Sequence, residues 1–216
     1  MLIQYHEAIT RKALKGYFSP GALNEIVTEN LKQDNLPGQI GHNEYHFDNN
    51  ALEKSYTYIE EQRALVYASL RNGTPPAARA AFGRLIHTAQ DFYAHSNYVD
   101  LWLAQFPRGE DADENLPPPA EIDPLVDELI HSPELHSGKL YYPLELLAFV
   151  PLIKKFIIPM LPKDSHAHMN LDSPERGNRF AYTFEAAVKR SASELDLISA
   201  NLADEVLRSF FGRPGE

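Results

Sequence analysis

The sequence predicts an all-α protein built as a single helical domain. Three observations carry this. Long segments of helical composition and period follow one another with short breaks between them. No stretch alternates apolar and polar residues far enough to read as a convincing strand, and no internal repeat is visible. The chain has 216 residues, 44% hydrophobic and 11% aromatic, which is enough for one globular domain with a substantial core.

Each element follows from local chemistry. Residues from His6 to about Gly16 have helical composition, and Ser19-Pro20 then reads as an N-cap and first-turn proline opening a helix that runs to about Lys32. Gln33 to Asn50 is aperiodic and rich in Asn, Gly and His, as a loop is. Ala51 to Arg71 is periodic and helical, Asn72 to Pro76 interrupts it, and Ala77 to His95 forms the next helix. The acidic, proline-rich stretch from Pro107 to Pro119 reads as an exposed connection within the domain. Leu140 to Leu161 is strongly apolar, yet Pro143, Pro151, Pro159 and the Lys154-Lys155 pair break it below the roughly 20 apolar residues of a membrane span. Either a buried helix or a lipid-facing or lid element fits, the latter making peripheral membrane contact through 140–161. Asp172-Ser173-Pro174-Glu175 reads as the start of a last long helix reaching about Phe210.

The formal net charge is -10, from 30 acidic and 20 basic residues, so the surface as a whole repels nucleic acid and anionic membranes. Bound divalent cations would offset part of that charge. Cysteine is absent, which excludes disulfides and thiolate ligands and leaves imidazole and carboxylate as the strong metal donors; the histidines number nine. MLIQYHEAIT lacks the basic start, apolar run and cleavage site of a secretory signal, so a cytoplasmic location is expected unless a dedicated machine exports the chain.

In HTAQDFYAH, His87, Asp91 and His95 are spaced by four and share one face of a helix. An imidazole and a carboxylate one turn apart can bind one ion, and the third residue can reach the same ion or a neighbour. A polar stripe satisfied by hydrogen bonds is the plain alternative. Further donors accompany the triplet: Asp34 in LKQDN, His46 and Asp48 in YHFDNN, His168 and Asp172 in DSHAHMNLDSP, and His6 near the start. Taken singly, His6 fits a surface histidine at a helix start, Asp48 an Asx-turn and Asp172 a helix cap. Their joint occurrence points to a multinuclear site.

With these residues in order, the chain resembles the zinc-dependent phospholipases C and fungal single-strand nucleases, and most closely their Het-C-like branch; GRLIHTAQDFYAHSNYV and HFDN carry the likeness. The resemblance implies a helical domain of that type spanning 1–216. It implies two or three Zn2+ ions: one on Asp34, His46, His87 and Asp91, a second on His95, His168 and Asp172, and a third on His6 with Asp91 bridging. In the family that third ion is completed by backbone groups of the first residue, here Met1 in place of the usual tryptophan. His42, His166 and Asp48 are left as orienting partners of the ligands.

The implied activity is hydrolysis of phosphate diesters by a zinc-activated water, with Asp34 and Asp91 as catalytic carboxylates and phospholipid as substrate. A single-strand nuclease with the same metals is the second expectation, with Tyr93, Tyr98 and Trp102 as a base-stacking platform for nucleic acid. A non-catalytic Het-C-like interaction or toxicity module that binds metal for structure is the third.

Overall fold

Pro75–His95 is a helix with no solvent face over most of its length. From Ala81 to His95 only Arg84 is less than buried, so the helix lies at the centre of the molecule with neighbours all round. The structure, a computed structural model, describes residues 1–106, 116–148, 150 and 152–213. Its principal helices in chain order are α1 (Ile3–Ala13), α2 (Pro20–Lys32), α3 (Leu52–Arg71), α4 (Pro75–His95), α5 (Tyr98–Leu103), α6 (Arg179–Ser199) and α7 (Asp204–Phe210). Among the described residues extended pairing is limited to isolated bridges at Ser96–Ser137 and Lys139–Ser165, so the all-α expectation holds.

α4 packs against α2, α3 and α6, while α1 lies across α2 and α6. Small residues set the closeness of this packing. A Cβ at Gly83 would lie 2.4 Å from the Ile26 carbonyl oxygen of α2, so only glycine lets the two helices approach. Ile9, Ile26, Phe82, Leu85, Ile86, Phe92 and Leu195 fill the core between these helices. Ser19 caps α2 as expected, its Oγ accepting from Ala22 N at 3.3 Å.

Several boundaries differ from the sequence reading. α1 begins at Ile3 because the Leu2 carbonyl already accepts from Tyr5 N at 2.8 Å, which places His6 one turn inside the helix rather than at its start. The break before α4 is shorter than expected, since Pro75 itself occupies the first turn. The last helix is divided. Pro174–Arg176 forms a separate 3-10 turn stopped by Gly177 at φ +93°, and α6 ends at Ser199. The extended Ala203 then redirects the chain so that Phe210 reaches Phe18 and Phe82, with centroids 5.2 and 5.8 Å away.

Leu140 to Leu161 is not a buried helix. It forms short turns at Leu144–Ala148, Lys154–Ile157 and Ile158–Met160, with Leu152, Phe156 and Met160 exposed; residues 149 and 151 lie outside the described set. Prolines at this spacing remove the backbone donors a long helix needs. Most of the expected connection from Pro107 to Pro119 also lies outside the described residues. No helix among the described residues is long and apolar enough to cross a membrane.

Candidate metal centre

A helix buried on all sides must satisfy its polar side chains internally, and α4 carries His87, Gln90, Asp91 and His95 into that interior. Asp91 is fully buried and stands at the centre of the cluster. Its Oδ2 lies 2.9 Å from His46 Nδ1 and 3.1 Å from His87 Nε2; its Oδ1 lies 3.2 Å from His6 Nε2, 3.8 Å from His95 Nε2 and 2.7 Å from the Met1 amino nitrogen. Asp34, just beyond α2, closes the first side, 3.8 Å from both His6 Nε2 and His87 Nε2 and 4.0 Å from His46 Nδ1.

The loop from Gln33 to Asn50 places His46 and Asp48 through an unusual backbone. Phe47, Asn49 and Asn50 adopt left-handed conformations, with φ of 55°, 55° and 57°. Left-handed geometry at a bulky residue costs of order 1–3 kcal/mol, offset here by full burial of the Phe47 ring against Tyr56 and Phe92. With Phe47 anchored in the core, His46 and Asp48 both turn toward α4. Asn49 N donates to Gly138 O at 2.7 Å, and Asn50 and Ser137 exchange side chain and backbone bonds at 3.0 Å, which ties the loop to residues 137–138.

A second group forms on the other side of His95. Asp48 Oδ1 lies 2.7 Å from His166 Nδ1 and 3.2 Å from His95 Nδ1. Gly138 makes this possible: a Cβ there would sit 2.6 Å from His166 Cα, and Gly138 N donates to His95 O at 3.0 Å. His95 Nε2 meets Asp172 Oδ1 at 3.0 Å. The donor atoms thus gather as His6, Asp34, His87 and Asp91, with His46 beside them, and as Asp48, His95 and His166.

The orientation of the imidazoles is the most informative feature. His46 Nε2 faces the Gly38 carbonyl at 3.3 Å, and His95 Nδ1 faces the His46 carbonyl at 2.7 Å. His6 Nδ1 faces Gln90 Oε1 at 2.6 Å, and His87 Nδ1 faces Asn30 Oδ1 at 3.4 Å. A carbonyl oxygen only accepts, so each ring donates one N–H outward and aims its other nitrogen at Asp91, Asp34 or Asp172. Gln90 is itself held by donating to Thr10 and Ser191 at 3.1 Å each. His6 Nε2 and Asp34 Oδ2 are buried and have no hydrogen-bond partner.

Charge is correspondingly concentrated. The carboxylates of Asp34, Asp48, Asp91 and Asp172 are 8%, 14%, 0% and 22% exposed, and among the described residues their ion pairs are with histidines and the Met1 amino group alone. Burial alone would raise the Asp91 pKa, but the Met1 amino group, His95, His6 and His87 hold it well below the ordinary carboxylate range. Asp48 and Asp172 are lowered against burial in the same way, by His166 and His95 for the first and chiefly by the Met1 amino group for the second. Burial, then repulsion from His6, pushes His87 down to about 4. His46 and His95 are raised despite burial, the first by the hydrogen bond to Asp91 and the second by Asp91 and Asp48.

Of the residues expected in the site, His6, Asp34, His46, His87, Asp91, His95 and Asp172 come together and His168 does not. His168 is exposed and lines a separate surface cavity with Lys163, Arg176 and Arg179. The four-residue spacing from His168 to Asp172 implied a shared helix face, but the helical turn ends at Met169 and Asn170 is extended. His166, expected only as an orienting partner, takes the place beside His95, and Asp48 with it. His42 stacks on Tyr45 at 4.4 Å, away from the cluster. Gln90 and Asn30 were missed, because neither is a metal donor and their buried position follows only from the packing of α2 on α4. Tyr93, Tyr98 and Trp102 form no stacking platform: all three are buried, and the tyrosine hydroxyls donate to Pro124 O and Asp123 O at 2.7 and 2.8 Å.

Residues 6–110 match the family model described as the VWA7 N-terminal domain. The von Willebrand factor A domain-containing protein 7 of Rattus norvegicus is 35% identical over 80 residues, covering 37% of this chain and 9% of the relative. Its counterparts in Mus musculus and Homo sapiens are 33% and 34% identical over 93 and 92 residues, each match covering 39% of this chain and 10% of the relative. The chain therefore spans about a tenth of the length of the curated relatives it matches. No solved structure matches. These matches overturn the expected kinship with zinc-dependent phospholipases C, single-strand nucleases and their Het-C-like branch, and with it the phosphodiester-hydrolase reading in its lipid and nucleic-acid forms, the assignment as an enzyme and the Het-C-like module. The catalytic roles expected of Asp34 and Asp91 rested on that kinship. The matched interval runs from His6 through Asp34, His46, Asp48, His87, Asp91 and His95, and stops short of His166 and Asp172.

Proposed function

We propose that this chain is a metal-binding helical module, similar over its first half to the N-terminal domain of von Willebrand factor A domain-containing protein 7, in which buried divalent ions organise the helices. The observation that supports it is the common orientation of His6, His46, His87 and His95. Metal-ligating histidines commonly donate one ring N–H to an oxygen and turn the other nitrogen toward the ion, and all four rings here face an oxygen with one nitrogen and a carboxylate with the other. A tetrahedral ion with bonds of about 2.0–2.1 Å sets its donors about 3.3 Å apart. The separations of His46 and His87 from the Asp91 and Asp34 carboxylate oxygens run from 2.9 to 4.0 Å and bracket that value.

Asp48, His95 and His166 form a second candidate group; because His95 Nδ1 already donates to the His46 carbonyl, His95 would join an ion there only through Nε2, and His6 with Asp91 Oδ1 extends the first group. Imidazole and carboxylate without thiolate suit zinc, and also other first-row divalent ions, so the chemistry of the donors and not a relative's activity supports zinc. Ions here would neutralise buried carboxylates that no lysine or arginine side chain pairs with among the described residues, and so tie α1, α2, α4 and the loop at His46 to one point.

The test is elemental analysis of the protein purified without added metal, alongside His87→Ala and Asp34→Ala. At least one equivalent of zinc or another first-row ion in the parent chain, lost from both variants, supports the proposal. A folded parent that takes up no metal after equilibration with zinc contradicts it.

A further inference from the structure

The broken apolar run following residue 140 has a surface unlike the rest of the molecule. Leu152, Phe156 and Met160 are 84%, 64% and 67% exposed and lie on consecutive short turns. Lys154 and Lys155 lie between them, exposed, and make no ion pair among the described residues; Lys155 Nζ sits 4.9 Å over the Phe156 ring. The single acid between residues 140 and 163 is Glu145, and it is turned inward. It is fully buried, accepting from Ala167 N at 2.6 Å and Tyr141 N at 3.4 Å. Among the described residues of the segment, what remains exposed is apolar and tyrosine side chains and ammonium groups. This local balance opposes the chain's overall net charge of -10.

We propose that residues 152–160 form a peripheral membrane-docking element that seats Leu152, Phe156 and Met160 in an anionic lipid surface, with Lys154 and Lys155 at the headgroups. Large exposed apolar side chains flanked by unpaired lysines suit a bilayer interface, where aliphatic stems lie among lipid and ammonium groups meet phosphate or carboxylate. A protein partner fits less well, because the cores of protein interfaces are depleted in lysine. The acidic remainder of the surface orients the molecule with this segment toward the bilayer. The inference does not depend on the metal proposal, although Glu145 and the His166 turn share a hydrogen bond through Ala167 N.

The test is co-sedimentation of the full chain with vesicles of phosphatidylcholine alone and of phosphatidylcholine mixed with phosphatidylserine. Binding to the mixed vesicles is expected, with at least a tenfold loss in the Leu152→Ser/Phe156→Ser/Met160→Ser variant. Lys154→Gln/Lys155→Gln is expected to reduce the preference for the mixed vesicles about tenfold or more. All five positions are exposed, so an unchanged melting temperature confirms that both variants fold. Three results would overturn the proposal: no binding to either vesicle, binding that the triple variant leaves unchanged, or a concentration-dependent dimer that the triple variant abolishes in a chain that ignores vesicles.

Discussion

Asp91→Asn reaches both donor groups at once, because Oδ2 faces His46 and His87 while Oδ1 faces His6 and His95. Asparagine keeps the shape and removes the charge, leaving one acceptor oxygen and placing an NH2 where a donor atom stood. The magnitude follows from linkage. Free metal at a thousand times the dissociation constant stabilises the folded chain by about 4 kcal/mol. At about 2–4 °C per kcal/mol for a chain of this size, removing that metal lowers the melting temperature by about 8–16 °C. The assay is thermal unfolding followed by circular dichroism, with and without EDTA. The parent chain is expected to show that loss on chelation, and Asp91→Asn to melt at the same temperature in both conditions. A parent chain indifferent to EDTA, or an Asn variant that keeps the full chelator-sensitive shift, would refute the reasoning.

Acid should destabilise the chelated protein. His87 is held down at about 4 against an ordinary 6.5, so the unfolded chain binds more protons between those values and stability falls by about 3 kcal/mol as pH drops through that window. The lowered Asp48, Asp91 and Asp172 act in the same direction at lower pH, their contribution being complete above the ordinary carboxylate range and lost below it. His46 and His95 are raised, so their contribution is complete below 6.5 and fades as pH rises through their folded values. Urea melts of the EDTA-treated chain should therefore show a maximum near pH 6 to 7, and a flat profile between pH 4 and 6.5 would contradict the His87 argument. Glu194 is buried and joins Arg190 Nε at 2.9 Å to Arg63 at 2.8 Å, so Glu194→Ala leaves Arg190 uncompensated and should cost about 3–5 kcal/mol in denaturant unfolding; a loss under 1 kcal/mol would show the network to be dispensable. Gly138→Ala forces a Cβ to within 2.6 Å of His166 Cα. It should cost about 1–3 kcal/mol and lower the metal stoichiometry by the ion at His166, whereas unchanged stability and stoichiometry would place that group outside the site.

The helices around the site were legible because their signals are local. Ser19-Pro20, the periodic run of α3 and the four-residue spacing of His87, Asp91 and His95 all act within a turn or two of the chain. What lies between helices was not. The spacing of His168 and Asp172 copies that of His87 and Asp91, yet no helix spans it, and His166 reaches the site only because Gly138 admits its backbone. Asp48 arrives through left-handed Phe47, a conformation no residue pattern announces at a bulky aromatic. The run from Leu140 to Leu161 misled through composition: apolar content suggested burial, while proline spacing decided the outcome. The phospholipase-like reading followed the order of the ligands, and that order did not identify the family.

Diffraction from crystals of the protein grown with zinc, collected on both sides of the zinc absorption edge, tests the central claim most directly. The account predicts an anomalous peak among His46, His87, Asp34 and Asp91, and a second at Asp48, His95 and His166. Crystals showing the same helices with no anomalous density at either group would contradict it.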